Sequence, residues 1–497
     1  MRLISLHIDR YLMLRDLTIR FDRPGRLNMG SYALDFLVGL NGSGKSTLLR
    51  TLAQIITDLH ANRPTPFNYR LEYELQQANQ RQNIQIVRRR PHITMTVYNP
   101  DNGATLLDNG GIDSKFLPKH IIVYTTGRLA EWDKLVAQSM DTLDENDAAV
   151  AVLNDPVKRT IVEIPGRLPK PDLQEFPDTV ESPLLLLRSS RLSIMTLTGL
   201  LASLQSEPRP LSGVLASLKL AGLRGFSLRF RLHQALSDYE LFNHLRPHAA
   251  RHIQQGSDHL LVFELLENST AQHSFLERLW SDYATPLDFF VALNQLCEPL
   301  TTGEPTLQEV NLFLERQLVT EEEEDDATRL LMFDWMSDGE QSFLGRMAML
   351  AMLQTENSLI LLDEPEVHFN DYWKREIVKL IDTVMYKHTN HLLIVSHSSI
   401  GLSDVPDAQV SIMQRGIDGF AVVHPPTLKT FGTDPSEIMT VIFHTRLSTG
   451  AYAADLLKTA VESGQRQQIE EFLERVGPGM WYFRLRQRLE GLDATSP

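Results

Sequence analysis

One glycine-rich stretch fits the phosphate-loop pattern, and it reads Gly39, Leu40, Asn41, Gly42, Ser43, Gly44, Lys45, Ser46, Thr47. A short apolar run, Ala33 to Val38, precedes it, and apolar residues at three- and four-residue spacing follow it from Thr47. These patterns predict a buried parallel strand and an amphipathic helix. Because phosphate binding needs a glycine turn between a strand and a helix, the context favours a nucleotide site over a flexible glycine turn.

The residue types in this stretch predict how the site would hold a nucleotide. Glycines let backbone N–H groups turn inward onto the phosphates, Lys45 supplies positive charge for catalysis, and Ser46 offers a hydroxyl to Mg²⁺. The predicted nucleotide-binding residues are Gly39, Asn41, Gly42, Ser43, Gly44, Lys45, Ser46 and Thr47.

A second motif consists of the apolar residues Leu359 to Leu362 followed by Asp363 and Glu364. It predicts a buried strand that ends in two carboxylates. Asp363 would be a metal ligand with Ser46, and Glu364, on the opposite side, would orient or deprotonate the attacking water as a catalytic residue. The alternative is an acidic helix start with Pro365 in its first turn.

Two further features complete an ordered set. Ser337 and Glu340 form a capping box at the start of a predicted helix, where Gly339 permits close approach of an anion. His397 directly follows an apolar strand that ends at Ser396. Taken alone, the first is a helix cap and the second a structural histidine.

Strand and helix patterns alternate at both ends of the chain, which predicts an α/β fold with a mixed sheet flanked by helices. Between about Leu184 and Val319 long helical periods dominate, and a run of six carboxylates follows at Glu321 to Asp326. We predict an ATPase domain in two parts, residues 1–135 and 327–440, around a mostly helical insert at 136–326. A small helical extension would occupy residues 441–497.

Composition excludes several classes of protein. The 48 basic and 63 acidic residues give a net charge of −15, which argues against non-specific coating of nucleic acid. The single Cys297 excludes an intramolecular disulfide framework. Because no uninterrupted apolar segment predicts a signal peptide or a membrane span, we expect a cytoplasmic protein without a membrane partner.

The four motifs, in this order, resemble those of ATP-binding-cassette ATPases of the kind that includes the RecF, SMC and OLD families. The resemblance implies ATP and Mg²⁺ as cofactors and a homodimer with two shared ATP sites. Ser337, Gly339 and Glu340 of one chain would act in trans as the signature on the partner's ATP, and His397 would be the catalytic switch histidine. Asp338 departs from the glycine of transporters, and no glutamine loop can be assigned.

Narrower similarity comes from DEPEVHFN at Asp363 to Asn370, YTTGRLAEW at Tyr124 to Trp132, TFGTDPSEI at Thr430 to Ile438, and a GPGMWYFRLRQRL stretch near the end. These stretches resemble the PtuA family of Septu-type and retron antiphage systems. That family implies an HNH endonuclease partner of the PtuB type and, in retrons, a reverse transcriptase with its RNA-linked DNA. ATP binding would then control the partner's nuclease, since no nuclease site is evident in the chain.

Two other functions remain open at this stage. A RecF- or SMC-like DNA-repair ATPase would load or clamp on DNA, and a nucleotide-gated scaffold would bind ATP without hydrolysing it. Two arginine groups bear on the choice, Val87 to Arg90 and Arg484, Arg486 and Arg488 near three aromatic residues. They contact nucleic acid or a protein partner on one interpretation. On the other interpretation these arginines lie at solvent-exposed ends of strands or helices.

Overall fold

The computed structural model describes residues 1–27, 30–77, 80–99, 103–108, 112–127, 129–144, 183–206, 209–232, 239–265, 270–298, 304–317, 329–443 and 449–494. The chain forms two compact units, Met1–Phe431 and Gly432–Pro497. Among the described residues, no helix is both long enough and apolar enough to cross a bilayer.

The described strands all lie in the first unit. In chain order they are β1 (Arg2–Tyr11), β2 (Leu14–Arg20), β3 (Ala33–Val38), β4 (Tyr69–Gln77), β5 (Gln80–Arg89), β6 (His92–Asn99), β7 (Gly103–Asp108), β8 (Ile121–Thr125), β9 (Leu184–Leu187), β10 (Leu220–Arg231), β11 (Arg251–Gln255), β12 (Asp258–Glu264), β13 (Leu307–Arg316), β14 (Leu330–Met332), β15 (Leu359–Asp363), β16 (His391–Ser396), β17 (Val410–Arg415) and β18 (Ala421–His424).

The helices of the first unit are α1 (Lys45–His60), α2 (Ala130–Asp144), α3 (Leu192–Gln205), α4 (Ser212–Ser217), α5 (Glu240–Leu245), α6 (Thr270–Asp282), α7 (Pro286–Leu296), α8 (Asp338–Met352), α9 (Asp371–Met385) and α10 (Ser399–Leu402). Those of the second unit are α11 (Pro435–Val441), α12 (Ala451–Ser463), α13 (Arg466–Arg475) and α14 (Met480–Ala494).

A large mixed sheet organises the first unit. Its thirteen described strands lie in the order β7-β6-β5-β4-β1-β2-β18-β17-β3-β16-β15-β8-β9. The half from β17 to β9 is parallel and includes β3, β15 and β16, every residue of which is buried. Strands covered on both faces read as continuous apolar runs, which is why Ala33 to Val38 and Leu359 to Leu362 were recognisable. The predicted α/β fold with a mixed sheet and flanking helices is confirmed.

The described part of the predicted insert contains both strands and helices, so it is not mostly helical as predicted. A five-stranded antiparallel sheet, β11-β12-β10-β13-β14, accompanies its helices. The central strand β10 buries consecutive residues, among them Phe226 and Leu228, so it lacks the alternation that marks a half-exposed strand. Within this region α6 and α7 are two separate helices, because Thr285 caps α7 and Pro286 begins it.

Two glycines allow α3 to pack closely against α8. A Cβ on Gly199 would lie 2.0 Å from the carbonyl oxygen of Ala348, and one on Gly345 would lie 2.4 Å from Leu192 Cδ1. A larger residue at Gly199 would clash with the α8 backbone, and one at Gly345 would displace the Leu192 side chain. The insert is therefore packed directly on the helix that begins at the predicted signature.

A buried polar cluster links the strands at the end opposite the phosphate loop. Asp35 on β3 accepts two hydrogen bonds from Arg26, at 2.7 and 2.9 Å, and lies 3.0 Å from His391 Nε2 on β16. The Leu3 N–H donates to His391 Nδ1 at 2.8 Å. Burial lowers the pKa of His391, so the neutral ring holds β1, β3 and β16 together.

The second unit is a small helical body, as predicted for the C-terminal extension. Its core contains the buried side chains of Ala454, Leu457, Ala460, Ile469, Trp481 and Leu485. Arg484, Arg486 and Arg488 lie on the helix α14, where Arg484 and Arg488 share one side and Arg486 points to another, so the three do not form one face. Arg484 lies over the Trp481 ring at 5.4 Å, and Arg486 pairs with Glu490 at 3.2 Å.

Candidate nucleotide-binding site

Four neighbouring parallel strands bring the predicted site residues to one edge of the large sheet. Strand β16 lies between β3 and β15, with Ser396 opposite Val38 and Val395 opposite Asp363. On the far side of β15, Asp363 is opposite Thr125 at the end of β8. Carboxyl ends of parallel strands share an edge, so the phosphate loop, the carboxylate pair and His397 must meet there.

The phosphate loop takes a conformation that needs its glycines. Gly39, Gly42 and Gly44 have φ values of 148, 78 and 104°. Lys45 Nζ donates to the carbonyl oxygens of Gly39 at 2.8 Å and Leu40 at 3.1 Å, which closes the loop around the ammonium group. Burial lowers the pKa of Lys45, although the charges of Glu364 and Asp363 oppose that shift.

Gly39 and Gly42 make a matched pair for a stability test of the loop. A Cβ at Gly39 would lie 2.0 Å from the Met413 carbonyl oxygen, whereas a Cβ at Gly42 meets nothing within 4 Å. We expect Gly39→Ala to lower the free energy of unfolding by about 3 kcal/mol and Gly42→Ala by about 1 kcal/mol, since only the first adds a backbone clash to the φ strain. Urea unfolding without nucleotide measures both, and equal losses would contradict the geometry.

Asp363 ends β15 beside the first turn of α1. The Ser46 hydroxyl hydrogen-bonds to its carboxylate, and Thr125 Oγ1 lies 3.4 Å from Asp363 Oδ2. Burial raises the pKa of Asp363, and the charge of Glu364 adds to the rise, while the bond from Ser46 opposes it. Ser46 and Asp363, which the sequence predicts as metal ligands, therefore lie in direct contact.

Glu364 and His397 face each other across this edge. His397 Nε2 lies 3.2 Å from Glu364 Oε1, with both side chains about one-third exposed. Burial and the charge of Lys45 lower the pKa of His397, so its ring is neutral near pH 7. Glu364 has a φ of 54°, a left-handed backbone conformation that is rare for a residue with a side chain. Strain of this kind is concentrated at functional sites.

Glu366 supports this pair, although sequence reasoning gave it no role. Its buried carboxylate accepts hydrogen bonds from the Ser396 hydroxyl and from the His397 N–H, the latter at 3.2 Å. Burial raises its pKa. The only sequence signal was its position two residues after Glu364. Thr125 was missed in the same way, although it ends a strand beside Asp363.

A cavity of about 270 Å³ opens beside Glu364 and His397, and its other lining side chains include Glu366, His368, Lys374 and Ser398. The predicted signature lies near this region on α8. Ser337 Oγ accepts from the Glu340 N–H at 3.4 Å, and Glu340 Oε2 accepts from the Ser337 N–H at 3.0 Å, which confirms the capping box. Ser337 and Asp338 are exposed. A Cβ on Gly339 would lie 4.0 Å from the His368 carbonyl oxygen, so Gly339 adjoins the segment after Glu364.

The residues present fit a nucleotide with its magnesium ion. The N-terminus of α1 has no side-chain cap and no acidic residue in its first turn, so its N–H groups are available to an anion. Ser43 Oγ in the loop is buried and has no hydrogen-bond partner among the described residues. With Lys45 between this loop and the two carboxylates, the arrangement matches the donors and acceptors of a triphosphate and a hard cation.

Comparison with known proteins identifies part of this arrangement. Residues 204–404 match the family model of the AAA domain described as a putative AbiEii toxin of a type IV toxin–antitoxin system. The match includes the predicted signature, the carboxylate pair and His397. Residues 204–404 are therefore similar to an AAA-type ATPase domain. A curated relative, protein ea59 of Escherichia phage lambda, is 25% identical over 128 residues, which are 26% of this chain and 24% of that protein. The chain thus spans about a quarter of the length of this relative.

Solved structures with similarity to the chain include SMC heads. The SMC head domain from Thermotoga maritima is 13% identical, with a TM-score of 0.35 and coverage of 86% of this chain and 100% of that chain. An Smc head domain with an extended coiled coil, bound to the C-terminal domain of ScpA from Pyrococcus furiosus, is 11% identical, with a TM-score of 0.30 and coverage of 90% and 100%.

Proposed function

We propose that this chain is an ATP-binding and ATP-hydrolysing regulatory subunit of a bacterial antiphage complex, and that it controls a partner HNH nuclease. The observation that carries the ATPase part is the meeting of Lys45, Asp363, Glu364 and His397 at one sheet edge. Lys45 and Asp363 carry charge next to the phosphate loop. Glu364 and His397 face each other where an attacking water would stand.

Each residue has a role in the proposed reaction. The loop N–H groups and Lys45 bind the phosphates, and Ser46 and Asp363 hold Mg²⁺, which neutralises charge on the phosphates when bound. Glu364 accepts a proton from the water, or orients it, while the neutral His397 donates a hydrogen bond toward the transferred phosphoryl group. Glu366 fixes the His397 backbone by its bond to the N–H.

The proposed site is completed by a second copy of the chain. Ser337, Gly339 and Glu340 lie at an exposed helix N-terminus, which can receive an anion from outside. In the proposed homodimer this terminus contacts the γ-phosphate held by the partner's Lys45. An isolated chain would then hydrolyse ATP slowly.

The role in defence is supported by two kinds of similarity. Four sequence stretches resemble the PtuA family, and the matching family model is described in terms of a toxin–antitoxin system. The alternative of a DNA clamp draws little support from the arginines: Arg88 is 8% exposed, and Arg484 and Arg486 engage Trp481 and Glu490. A nuclease partner, with or without a reverse transcriptase and its RNA-linked DNA, accounts better for a chain of net charge −15.

The gene neighbourhood and a reconstituted complex test this proposal. We expect an HNH nuclease gene beside this one and copurification of the two proteins. Plasmid cleavage by the complex should differ at least about tenfold between ATP and ADP, as expected for coupling between two sites. A repair operon, or a chain that closes around DNA and binds no nuclease, would favour the clamp. Cleavage independent of nucleotide would contradict the regulatory role.

A further inference from the structure

Arg346 is a buried arginine in the middle of α8, the helix that begins at the predicted signature. It is only 5% exposed. Its Nε donates to Tyr124 Oη at 2.8 Å, and its Nη1 donates to the carbonyl oxygens of Pro365, at 2.9 Å, and Val367. The guanidinium group also lies over the rings of Phe369 and Tyr124, at 5.2 and 5.7 Å from their centroids.

Packing alone does not account for an arginine at this position. The partners of its guanidinium group among the described residues are neutral: one phenol, two carbonyl oxygens and two aromatic rings. A buried charge without a counter-ion costs free energy that such partners offset only in part, and an apolar residue of similar volume would avoid that cost. The planar, forked group is what this site uses, because it can bond several acceptors at once.

The two carbonyl groups that Arg346 binds lie in a strained part of the chain. Pro365 and Val367 stand between Glu364, with φ 54°, and His368, with φ 72°. Residues in this conformation persist only where their surroundings hold them. Within the same segment, Glu366 bonds to the Ser396 hydroxyl and the His397 N–H. Arg346 and β16 therefore both hold this segment.

We infer that Arg346 is a positioning residue for ATP hydrolysis, which clamps residues 365–367 to the signature helix and so keeps Glu364 facing His397. This inference rests on the proposed function. Phe343, also on α8, strengthens the clamp, because its ring stacks on Trp373 at 4.5 Å and meets Phe369 edge-on at 5.2 Å. In the proposed homodimer, the N-terminus of α8 would contact the nucleotide of the second copy through Ser337. The middle of α8 holds residues 365–367 of its own chain through Arg346.

Arg346→Lys tests the inference because it keeps the charge and loses the fork. We expect kcat for ATP to fall about a hundredfold, since an error of about 1 Å in a positioned group costs that much, while KM changes less than about threefold. The phosphate loop is untouched, so affinity for a fluorescent ATP analogue should be unchanged. Arg375→Lys, at an exposed position on α9, is the matched control and should keep the wild-type kcat.

Tyr124→Phe removes only the Nε bond and should give an intermediate loss of kcat, about tenfold, with KM again unchanged. This variant keeps the test decisive if Arg346→Lys fails to fold. Wild-type kcat in the folded variants, or a loss that matches the unfolded fraction measured by thermal melting, would overturn the inference alone. Absence of ATP turnover in the wild-type protein would instead overturn the proposed function, and the inference with it.

Discussion

Glu364→Gln should lower ATP turnover about a thousandfold and leave ATP bound. The amide has the size of the carboxylate and can still accept a hydrogen bond from water, but it cannot take a proton. Its neighbours should stay in place, because the Glu364 N–H bonds to the Val395 carbonyl at 2.9 Å through the backbone. Removing a negative charge near the phosphates should also tighten ATP binding. Phosphate release and equilibrium binding of labelled ATP measure the two effects.

Slow hydrolysis should also trap the proposed closed dimer. Glu364→Gln protein with ATP is expected to elute as a dimer, and the same protein with ADP as a smaller species. Glu376→Gln, on α9 and about one-third exposed, is a suitable control that should behave as the wild type. Undiminished phosphate release from Glu364→Gln would exclude Glu364 as the base. A persistent monomer with ATP bound would exclude the nucleotide-linked dimer but leave the base assignment standing.

Two inactive variants should restore activity to each other when mixed. Lys45→Ala removes the charge that holds the phosphates, and Ser337→Arg blocks the helix N-terminus proposed to contact the partner's ATP. Each variant alone should hydrolyse ATP at less than about one hundredth of the wild-type rate. In a mixed dimer, one site combines the intact phosphate loop of the Ser337→Arg chain with the intact signature of the Lys45→Ala chain.

Random pairing sets the size of that recovery. Half of the dimers in an equal mixture are mixed, and each has one competent site of two, so about a quarter of the wild-type rate is expected. Steady-state phosphate release against the mixing ratio measures it. A variant that carries both substitutions, mixed with either single variant, is the matched control and should stay inactive. No recovery in the equal mixture would mean that Ser337 acts on its own chain's nucleotide or on none.

The motifs and the strands that carry them could be predicted, because both are local. The strand before the phosphate loop, the apolar run before Asp363 and the helix cap at Ser337 depend on neighbours within a few residues. The strands of the insert were harder to predict, because β10 is central in its sheet and buries residues on both faces. An antiparallel sheet also depends on partners far along the chain, such as Phe226 opposite Leu312, which no local period indicates.

The supporting residues of the candidate site illustrate the same limit. Glu366 and Thr125 are ordinary in sequence and acquire a role only because β8, β15 and β16 are neighbours. Arg346 lies 19 residues from the Pro365 carbonyl it binds and 222 residues from Tyr124. Arg88, which the sequence placed in a candidate basic cluster, is buried on β5 instead. Charge patterns in a sequence do not reveal which side of a strand faces the core.

By itself, the sequence determined that this chain is an α/β nucleotide-binding protein with a phosphate loop at Gly39 to Thr47 and a carboxylate pair at Asp363 and Glu364. Short-range sterics and apolar periodicity are enough for that, because a glycine turn, a buried strand and a helix cap are each encoded locally. Tertiary structure decided how these parts meet: the order β3-β16-β15-β8 sets Ser46 beside Asp363 and Glu364 opposite His397. It also placed the buried guanidinium group of Arg346 against the segment that follows Glu364. Ser46 and Asp363 are hundreds of positions apart, and Glu364 and His397 follow different strands, so only the packing of the whole sheet brings these residues together.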